Sequence, residues 1–582
     1  MVSAFDVELV RSRLDASVSE LTHLLYRSAY STLMRESRDC SFLFMTPEGD
    51  VIVNGASLNH QSSYYYFVRA LRSRFPEMAP GDIYFSNHPY EAGIPHTPDL
   101  AVAIPAFDGG RLVGFSCSIA HKSDFGGSVV GSASMGATHL FQEGLLLPPL
   151  KVGSDGELDD FIELLIGANV RNPDLFFGDM RAQLGVTKLG AERLTEVSRQ
   201  VGSEVLLGVY AELMDQGERL LRSHLADWPD GQATAVGYLD SDGTPDGGPV
   251  RLAVTVTVEG DGVTFDLTDS ADEAKGPINL TPPYSDTSIF YALIALTDPD
   301  AGFSDGMRRP VTIVRRPGSV LDPRFPAPVG AAQSMKQRFT DLCFEALCRF
   351  VPERSIAHSG GSGGTLGISW NAATSGARAL QYEVFGSGMG AMHGRDGTSG
   401  IAVYTSNLAM TPIEVIESMF PVRIRRFELA ADSGGPGRWR GGLSYRREYE
   451  ALAPATVMRR AERAKFPAAG VEGGWPGRLA KVEIVESDGA SREVPVAGRY
   501  ELEPGQSIRI QGAGAGGFGP PGEREPEAVR RDVASAVVSA EGARRDYGVA
   551  LTADGAVDED ATARLRAEGL TPSGPPLPEV AR

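Results

Sequence analysis

Apolar residues recur at helical spacing in two long parts of the chain. Residues 5–38 contain neither glycine nor proline, and their periodic leucines and valines predict one long amphipathic helix or two in tandem. Residues 174–227 contain no proline and have the same period, which predicts one or two further long helices. Shorter helical patterns cover residues 62–75, 157–166, 341–350 and 527–546, the last of them charged and expected at the surface.

Alternation of apolar and polar residues predicts antiparallel strands elsewhere in the chain. The alternating segments are residues 40–44, 51–53, 101–107, 112–119, 237–268 and 445–510. Glycine is frequent, with 68 residues, and three glycine-rich loops lie between residues 359 and 442. We therefore expect an α+β fold: a large mixed body with long N-terminal helices, antiparallel sheets and glycine-rich loops.

The chain is too long for one hydrophobic core. Its 582 residues predict about three or four units, at roughly 100–200 residues per domain, or one large interlocked body. Changes in pattern place the boundaries so that a helix-rich region with a candidate site is followed by a β-rich region, a glycine-rich α+β region, and a C-terminal helix with a tail. The corresponding ranges are residues 1–231, 232–350, 351–522 and 523–582.

The strongest geometric prediction concerns the hairpin around Gly109 and Gly110. If these two glycines form a primed two-residue turn, regular pairing places Pro98 opposite His121 and Asp99 opposite Ala120. His96, Asp99 and His121 then arrive at the same end of the hairpin. Strict alternation would put both histidines on one face and Asp99 on the other, but Pro98 interrupts the strand and leaves the direction of Asp99 open.

The net charge of −20 argues against nucleic acid or an anionic membrane as a partner, because both bind basic surfaces. Four cysteines without a Cys-x-x-Cys pair argue against a zinc ribbon or a disulfide framework. Acidic residues occur in the first turns and no apolar core of a signal peptide follows. We therefore expect a cytoplasmic protein.

The first candidate for chemistry is a metal site of Asp39, His96, Asp99 and His121. Two imidazoles and two carboxylates suit Zn²⁺, Mn²⁺ or Fe²⁺, and two anionic ligands would neutralise a divalent ion in a partly buried pocket. A surface loop with ordinary histidines and aspartates is the alternative interpretation, since His-x-x-Asp by itself is a weak motif.

Two other kinds of site are disfavoured. Asp-Ser-Gly-Gly-Pro at residues 432–436 copies the segment around a protease serine, and residues 360–364 match Gly-x-Ser-x-Gly, but no strand precedes the latter as a nucleophile elbow requires. No phosphate-binding loop of the Gly-x-x-x-x-Gly-Lys-Ser/Thr type occurs, so no nucleotide site is recognisable. We interpret the glycine-rich segments as turns and loops that pack closely around a cavity.

Collinear segments along nearly the whole chain resemble the hydantoinase B/oxoprolinase family. This family includes the smaller subunit of ATP-dependent N-methylhydantoinase, the C-terminal part of 5-oxoprolinase and the alpha subunit of acetone carboxylase. The segments that carry the resemblance are RDCSFLF, GDIYFSNHPYEAGIPHTPDLAVAIPAF, RLVGFSCSIAHKSDFGG, GATHLFQEGLLLPPLKV, NVRNPDLFFGDMRAQ, GPIN, DSGGPGRWRGG and EGARRDYGV.

The resemblance implies a metal site built from Asp39, His96, Asp99 and His121. Two departures lie beside these positions: the family often has aspartate where this chain has His88, and a second histidine where it has Lys122. A lysine there would hold an anionic intermediate or face solvent. The substrate is therefore the property least transferable from the family.

The resemblance also implies a division of labour between two subunits. A hydantoinase A-type partner with an actin-like ATPase fold would bind ATP and phosphorylate the amide or enol oxygen of the substrate. The activated species would then react at the Zn or Mn site of this chain, as an amidohydrolase of the hydantoin or 5-oxoproline type. The alternatives are the carboxylation of a ketone such as acetone or acetophenone, and a scaffold subunit without catalytic metal.

Four more residues are candidates within this scheme. Glu143 and Asp124 lie in loops near the expected site and are candidates for proton transfer. Lys122 and Arg181 are candidates for contacts with an anionic substrate. Structural pairing is the alternative role for all four.

Overall fold

The computed structural model describes residues 2–53, 58–132, 136–244, 246–370, 379–406 and 408–572. The helices are α1 (Ala4–Ser28), α2 (Thr32–Arg35), α3 (Gln61–Arg74), α4 (Asp160–Asn169), α5 (Pro173–Val201), α6 (Ser203–Ala226), α7 (Pro282–Leu296), α8 (Ala332–Leu347), α9 (Ile413–Met419), α10 (Pro526–Ala534), α11 (Ala540–Tyr547) and α12 (Glu559–Ala567). Within the described ranges, no helix is both long and apolar enough to cross a bilayer.

The strands form four sheets, and most neighbouring strands are antiparallel. The strands are β1 (Cys40–Met45), β2 (Val51–Val53), β3 (Ile83–Ser86), β4 (Asp99–Asp108), β5 (Arg111–His121), β6 (Leu150–Ser154), β7 (Glu157–Leu158), β8 (Gly231–Leu239), β9 (Val250–Glu259), β10 (Gly262–Asp266), β11 (Val311–Val314), β12 (Thr365–Trp370), β13 (Ala379–Val384), β14 (Val422–Leu429), β15 (Tyr445–Ala451), β16 (Ala455–Arg460), β17 (Lys481–Val485), β18 (Ser491–Val494), β19 (Gly498–Leu502) and β20 (Ser507–Gln511). The mixture of helices and antiparallel sheets confirms the predicted α+β fold class.

The first sheet is buried on both faces, in the strand order β2-β1-β5-β4-β3-β6-β7. Alternate residues of β4 and β5 enter two different cores. One core packs against α1, α5 and α6, whereas the other packs against α3, α7, α8 and the second sheet. Successive residues at the ends of β4 and β5 therefore face two different environments, one on each side of the sheet.

The central hairpin begins as predicted and then changes register. Its turn pairs Asp108 with Arg111, but Ala106 lies opposite Gly114, so that Val113 is one extra residue on β5. This is a β-bulge, and it moves every later pair by one position. The predicted register is therefore wrong for the rest of the hairpin.

The bulge places Asp99 directly opposite His121, where regular pairing would have placed Ala120. Gly114 is required there because its φ is +150° and a Cβ atom would lie 2.5 Å from the carbonyl oxygen of Met45 on β1. Directly opposed residues project to the same face of a sheet, so Asp99 and His121 share one face.

The second and third parts of the chain pack against the first sheet and against each other. The second sheet, β11-β10-β9-β8, shares its core with α7, α8 and one face of the first sheet. The third and fourth sheets, β13-β12-β16-β19 and β14-β15-β20-β17-β18, enclose a core of their own. Helices α10 and α11 and the segment after α11 form a small satellite core, and residues 573–582 of the predicted tail lie outside the described residues.

Local predictions agree with the structure in some places and differ in others. Residues 5–38 form α1 and α2, as the tandem alternative predicted, and Asp39 directly precedes β1. The segment 157–166 begins with β7 before α4, and α8 begins nine residues before the helix predicted over residues 341–350. Residues 527–546 form α10 and most of α11 rather than a single helix. Ser433 of the Asp-Ser-Gly-Gly-Pro segment is buried, donates a hydrogen bond to the Ala430 carbonyl and accepts one from the Ser444 amide, which is a turn-forming role.

Candidate metal centre

Three side chains converge at the open end of the hairpin formed by β4 and β5. Asp99 begins β4, His121 ends β5, and His96 lies three residues before Asp99. The Nε2 atom of His96 is 3.3 Å from Oδ2 of Asp99, and Nδ1 of His121 is 3.1 Å from Oδ1 of Asp99. One potential ligand atom from each residue lies within 4.8 Å of the others.

Asp39 joins this cluster from the neighbouring strand. It directly precedes β1, where Cys40 pairs with Ala120, and the backbone carbonyl of Asp39 accepts a hydrogen bond from the amide of His121. Its Oδ2 atom is 3.9 Å from Nδ1 of His121. Asp39 therefore lies beside the three converging side chains.

The spacing of these atoms fits a divalent ion. Ligands held at about 2.0–2.1 Å from a tetrahedral zinc ion are about 3.4 Å from one another. The two distances from Asp99, 3.3 Å to His96 and 3.1 Å to His121, are close to that value but involve different oxygens of its carboxylate, and Oδ2 of Asp39 is 3.9 Å from Nδ1 of His121. One atom from each of His96, Asp99 and His121 lies within 4.8 Å of the others, so binding of an ion would draw these three residues closer together. Two imidazole nitrogens and two carboxylates also supply the charge and the donor types that Zn²⁺ or Mn²⁺ accepts.

The pKa shifts of Asp99 and His121 indicate an ionised Asp99 carboxylate that is held between imidazole groups. Burial would raise the pKa of Asp99, but the charges and hydrogen bonds of His96 and His121 hold it well below its usual range. Burial would lower the pKa of His121, but its hydrogen bond to Asp99 and the negative charge of Asp39 raise it above its usual value. The cluster is thus a preformed negative site that attracts positive charge.

His60 is a neighbour of the cluster that has no recognisable sequence signal. Its Nε2 atom is 3.8 Å from Oδ2 of Asp99, while Nδ1 contacts the Ser41 hydroxyl and Nε2 also contacts the Asn59 amide. Burial lowers the pKa of His60, which favours the neutral imidazole. Because both ring nitrogens already have partners, His60 supports the cluster as a neutral neighbour of Asp99.

Later parts of the chain close the cluster on its other sides. The ring of Tyr382, on β13, stacks on the ring of His121 with 5.8 Å between centroids. Lys336, on α8, lies 4.2 Å above the ring of Tyr284 on α7. Burial lowers the pKa of Lys336 to about 7, and the negative charges of Asp39 and Asp99 act against that shift. The centre is therefore assembled from segments that are hundreds of residues apart.

Lys122 lies next to His121 in sequence but faces the other way. It is fully buried, and its Nζ atom is 3.8 Å from the sulfur of Met34, which belongs to the core on the opposite side of the sheet. Burial lowers the pKa of Lys122 to about 8. Adjacent residues of an extended strand project to opposite faces, which explains why this lysine does not face the metal cluster.

Asp124 and Arg181 have contacts that hold other parts of the structure. The carboxylate of Asp124 accepts hydrogen bonds from the amides of Gly126 and Gly131 and from the guanidinium of Arg171. Arg181 lies on the exposed side of α5, where it pairs with Glu163 at 3.4 Å. The structure does not bring Arg181 to the metal cluster, and it commits Asp124 to a local loop.

Glu143 is buried near the cluster but does not belong to it. Its Oε1 atom accepts hydrogen bonds from the amides of Val329 and Gly330, whereas Oε2 is buried without a hydrogen-bond partner. Burial raises the pKa of Glu143 to about 8, although both amide hydrogen bonds act in the opposite direction. The side chain is therefore neutral over much of the physiological range and anchors the segment that leads into α8.

Tyr382 and Asp124 line a cavity of about 750 Å³. Its walls include apolar and polar side chains of the first sheet's helices and of the third sheet, among them Leu33, Leu175, Trp370, Leu380, Phe420 and Thr456. Tyr382 also stacks on His121, so the same residue contacts both the cavity and the cluster.

Comparison with known proteins gives a consistent result. The sequence profile of the Hydantoinase B/oxoprolinase family matches residues 3–521. The B-type subunit of a putative D-/L-hydantoinase from Pseudomonas sp. (strain NS671) is 29% identical over 586 residues, covering 97% of this chain and 98% of that protein.

Solved structures agree with the sequence comparison. The crystal structure of ATP-dependent caprolactamase from Pseudomonas jessenii has a TM-score of 0.91 and 26% identity, covering 97% of this chain and 100% of that chain. A nucleotide-free acetone carboxylase structure has a TM-score of 0.87 at 19% identity, covering 97% of this chain and 82% of that chain, which shows a common fold alone. The resemblance seen in the sequence is confirmed, and this chain belongs to the hydantoinase B/oxoprolinase family.

Proposed function

We propose that this chain is the metal-carrying subunit of an ATP-dependent cyclic-amide hydrolase of the hydantoin or 5-oxoproline type. The observation that carries the proposal is the convergence of His96, Asp99 and His121, with Asp39 beside them. Asp99 is buried and Asp39 is largely buried, so their two carboxylates are costly without positive charge, and a divalent ion would supply that charge.

The proposal places ATP on a partner subunit. No phosphate-binding loop is recognisable in the sequence. Relatives support the same division, since one is named as the B-type subunit of a putative hydantoinase and another is an ATP-dependent caprolactamase. A hydantoinase A-type ATPase is the partner that fits, and it would activate the amide oxygen by phosphorylation.

The residues of this chain would hold the ion and shape its surroundings. Asp39, His96, Asp99 and His121 are the proposed ligands, and Zn²⁺ or Mn²⁺ bound there would polarise a carbonyl and acidify a water molecule. Tyr382 covers one face of the His121 ring and so limits the access of bulk water. His60 keeps its neutral imidazole beside Asp99, and Glu143 fixes the segment before α8.

Reconstitution tests this function directly. The purified chain is combined with its ATPase partner and assayed with ATP plus hydantoin, 5-oxoproline or caprolactam, and separately with ATP plus bicarbonate and acetone. Hydrolysis of a cyclic amide is the expected result. Product from the ketone only would overturn the hydrolase assignment.

Metal analysis tests the role of the cluster. The His96→Ala and Asp39→Ala variants should lose both stoichiometric metal and activity, whereas His23→Ala, at an exposed position of α1, should keep both. Full activity of a metal-free complex would leave only a scaffold role for this chain.

A further inference from the structure

The cavity of about 750 Å³ lies between the helices α2 and α5 on one side and the third sheet on the other. Leu33 of α2 and Leu175 of α5 line the first side, and Leu380 of β13 and Thr456 of β16 line the second. Pockets that bind small molecules usually have volumes of roughly 300–1,000 Å³. The cavity is therefore large enough for an aryl or branched alkyl group.

The wall of the cavity reaches the candidate metal cluster along two segments of the chain. Tyr382 lines the cavity, and its ring stacks on the ring of His121 with 5.8 Å between centroids and 19° between planes. Leu380 precedes Tyr382 by two positions on β13, so both side chains project to the same face of the third sheet. Ser123 also lines the cavity and follows His121 by two positions. The cavity and the cluster are therefore neighbours on one continuous surface.

Two glycines pack against the side chains at this junction. A Cβ atom added at Gly367 would lie 3.6 Å from the ring of Tyr382, and one added at Gly131 would lie 3.6 Å from Leu380 and 3.7 Å from Tyr382. The amide of Gly131 donates a hydrogen bond to the carboxylate of Asp124, which fixes the loop against both side chains. The wall beside the cluster is therefore ordered before a ligand binds, which lowers the entropy cost of binding.

Apolar side chains make up much of the wall. The leucines at positions 33, 175 and 380 are joined there by Val130, Met419 and Phe420. The ring of Phe420 stacks on that of Trp370, which lines the cavity as well, with 5.8 Å between centroids. An apolar ligand group that contacts such a wall loses exposure to water, and this loss favours binding.

The charged side chains of the wall disfavour an anionic ligand group. Among the described residues they are the guanidinium of Arg171 and the carboxylates of Asp124, Glu501 and Glu503. Arg171 already pairs with Asp124 at 2.8 Å and donates hydrogen bonds to two backbone carbonyls. Negative charge is thus in excess, and a carboxylate in the cavity would meet like charges.

We propose that this cavity binds an apolar substituent, such as an aryl or branched alkyl group, of the cyclic-amide substrate. The inference rests on the proposed function, in which the amide reacts at the metal cluster while the substituent extends past Tyr382 into the cavity. It narrows the substrate class to neutral cyclic amides that carry such a group. It also disfavours 5-oxoproline, whose ring carries a carboxylate.

Binding of three lactams to the purified chain tests the proposal without ATP or a partner. The probes are 2-pyrrolidinone, 5-benzyl-2-pyrrolidinone and 5-oxoproline, which share one ring and differ only in the group at its position 5. Isothermal titration calorimetry in the presence of Zn²⁺ measures the three affinities. The benzyl compound should bind about tenfold or more tightly than either of the other two, as expected for burial of an aromatic group.

Polar substitutions in the wall should reduce this preference. Leu380→Asn and Met419→Gln should each weaken binding of the benzyl compound by about threefold or more and leave binding of 2-pyrrolidinone unchanged. Met419 is 51% exposed, so its replacement is compatible with folding. Leu429→Asn is the matched control, because Leu429 is an exposed leucine at the far end of β14, and it should leave all three affinities unchanged.

Several results would overturn the proposal. They are equal affinity for the three lactams, tighter binding of 5-oxoproline than of the benzyl compound, and absence of binding of the benzyl compound at millimolar concentration. A preference that both wall variants retain would also overturn it. The melting temperature of each variant is measured, and if Leu380→Asn does not fold, Met419→Gln and Leu175→Asn carry the test.

Failure of this inference can be told apart from failure of the proposed function. A chain that prefers the benzyl compound, in a complex that hydrolyses no cyclic amide, would contradict the hydrolase assignment only. A complex that hydrolyses cyclic amides without regard to an apolar substituent would contradict the role of the cavity only.

Discussion

Two clusters of buried charge differ in how their charges are balanced. At Asp341, on α8, the carboxylate contacts the guanidinium of Arg463, the hydroxyl of Tyr404 and the amide of Ser359. At the candidate metal centre, the carboxylates of Asp39 and Asp99 face imidazoles. The first cluster is complete in the sense that its carboxylate pairs with a cation of the same chain, although Nη1 of Arg463 has no hydrogen-bond partner. The second cluster is incomplete, because a bound cation would be needed to compensate both of its carboxylates.

This difference separates a structural role from a ligand-binding role. A buried ion pair that is satisfied by its own chain holds segments together, and removing one partner leaves an uncompensated charge. A buried charge without a partner costs stability, and a protein that keeps one gains a place where a ligand binds strongly. Substitutions in the two clusters should therefore have opposite effects on stability and on ligand affinity.

The largest effect on stability is expected at the complete cluster. Arg463→Met leaves Asp341 buried without its cation, which should lower the free energy of unfolding by about 3–5 kcal/mol. Urea titration followed by tryptophan fluorescence measures this change, with the exposed Arg492→Met as control. The metal content per folded chain should stay the same. A loss below about 1 kcal/mol would show that Arg463 is dispensable.

The largest effect on ligand affinity is expected at the incomplete cluster. Asp99→Ala removes the carboxylate that both histidines contact, so metal affinity should fall by more than about 100-fold, beyond the loss typical of an outer-shell partner. Competition with a chromophoric chelator measures the affinity. The exposed Asp272→Ala variant serves as control. Retention of wild-type affinity would exclude Asp99 as a ligand.

An effect on stability that depends on pH, and that is comparable in size over its whole window, concerns Glu143. Its pKa in the folded protein is raised to about 8, so the stability that its proton contributes is fully present below the unfolded value near 4.5 and is lost as pH rises through about 8. Wild type should therefore lose stability relative to Glu143→Gln by about 1.4 kcal/mol per pH unit between these values, and not above them. Urea titrations at several pH values would detect this divergence. Parallel stability curves would contradict it.

The smallest effect is expected at Arg181. This residue forms an exposed pair with Glu163, so Arg181→Ala should change the free energy of unfolding by less than about 0.5 kcal/mol. The metal affinity should also be unchanged. A large loss of metal affinity would place Arg181 in the site after all.

Local pattern predicted much of the fold. The helices α5 and α6, the strands of the central hairpin and the pairing of β1 with β2 follow from periodicity and turn residues that lie close together in sequence. The register of the hairpin did not follow from these local patterns. Beside the bulge, Gly114 packs closely against a backbone carbonyl of β1, and this contact joins strands that are far apart in sequence. A one-residue change of this kind has no signature in hydrophobic alternation alone.

The site was predictable to a similar extent. His96, Asp99 and His121 lie on one hairpin, so their meeting follows from the turn between their strands. Tyr382 comes from β13, and His60 precedes a helix, so tertiary packing alone brings them to the cluster. The orientation of Lys122, in contrast, was predictable. It follows His121 directly, and adjacent residues of an extended strand point to opposite faces of the sheet.

The order of the site residues along the chain also sets the order in which they are made. All four proposed metal ligands lie within the first 121 residues, whereas Arg460, at the end of β16, is translated 339 residues after His121. At about 5–20 residues per second, that interval is roughly 20–70 seconds. The nascent chain therefore presents its proposed metal ligands well before the later strands that pack around them have been made.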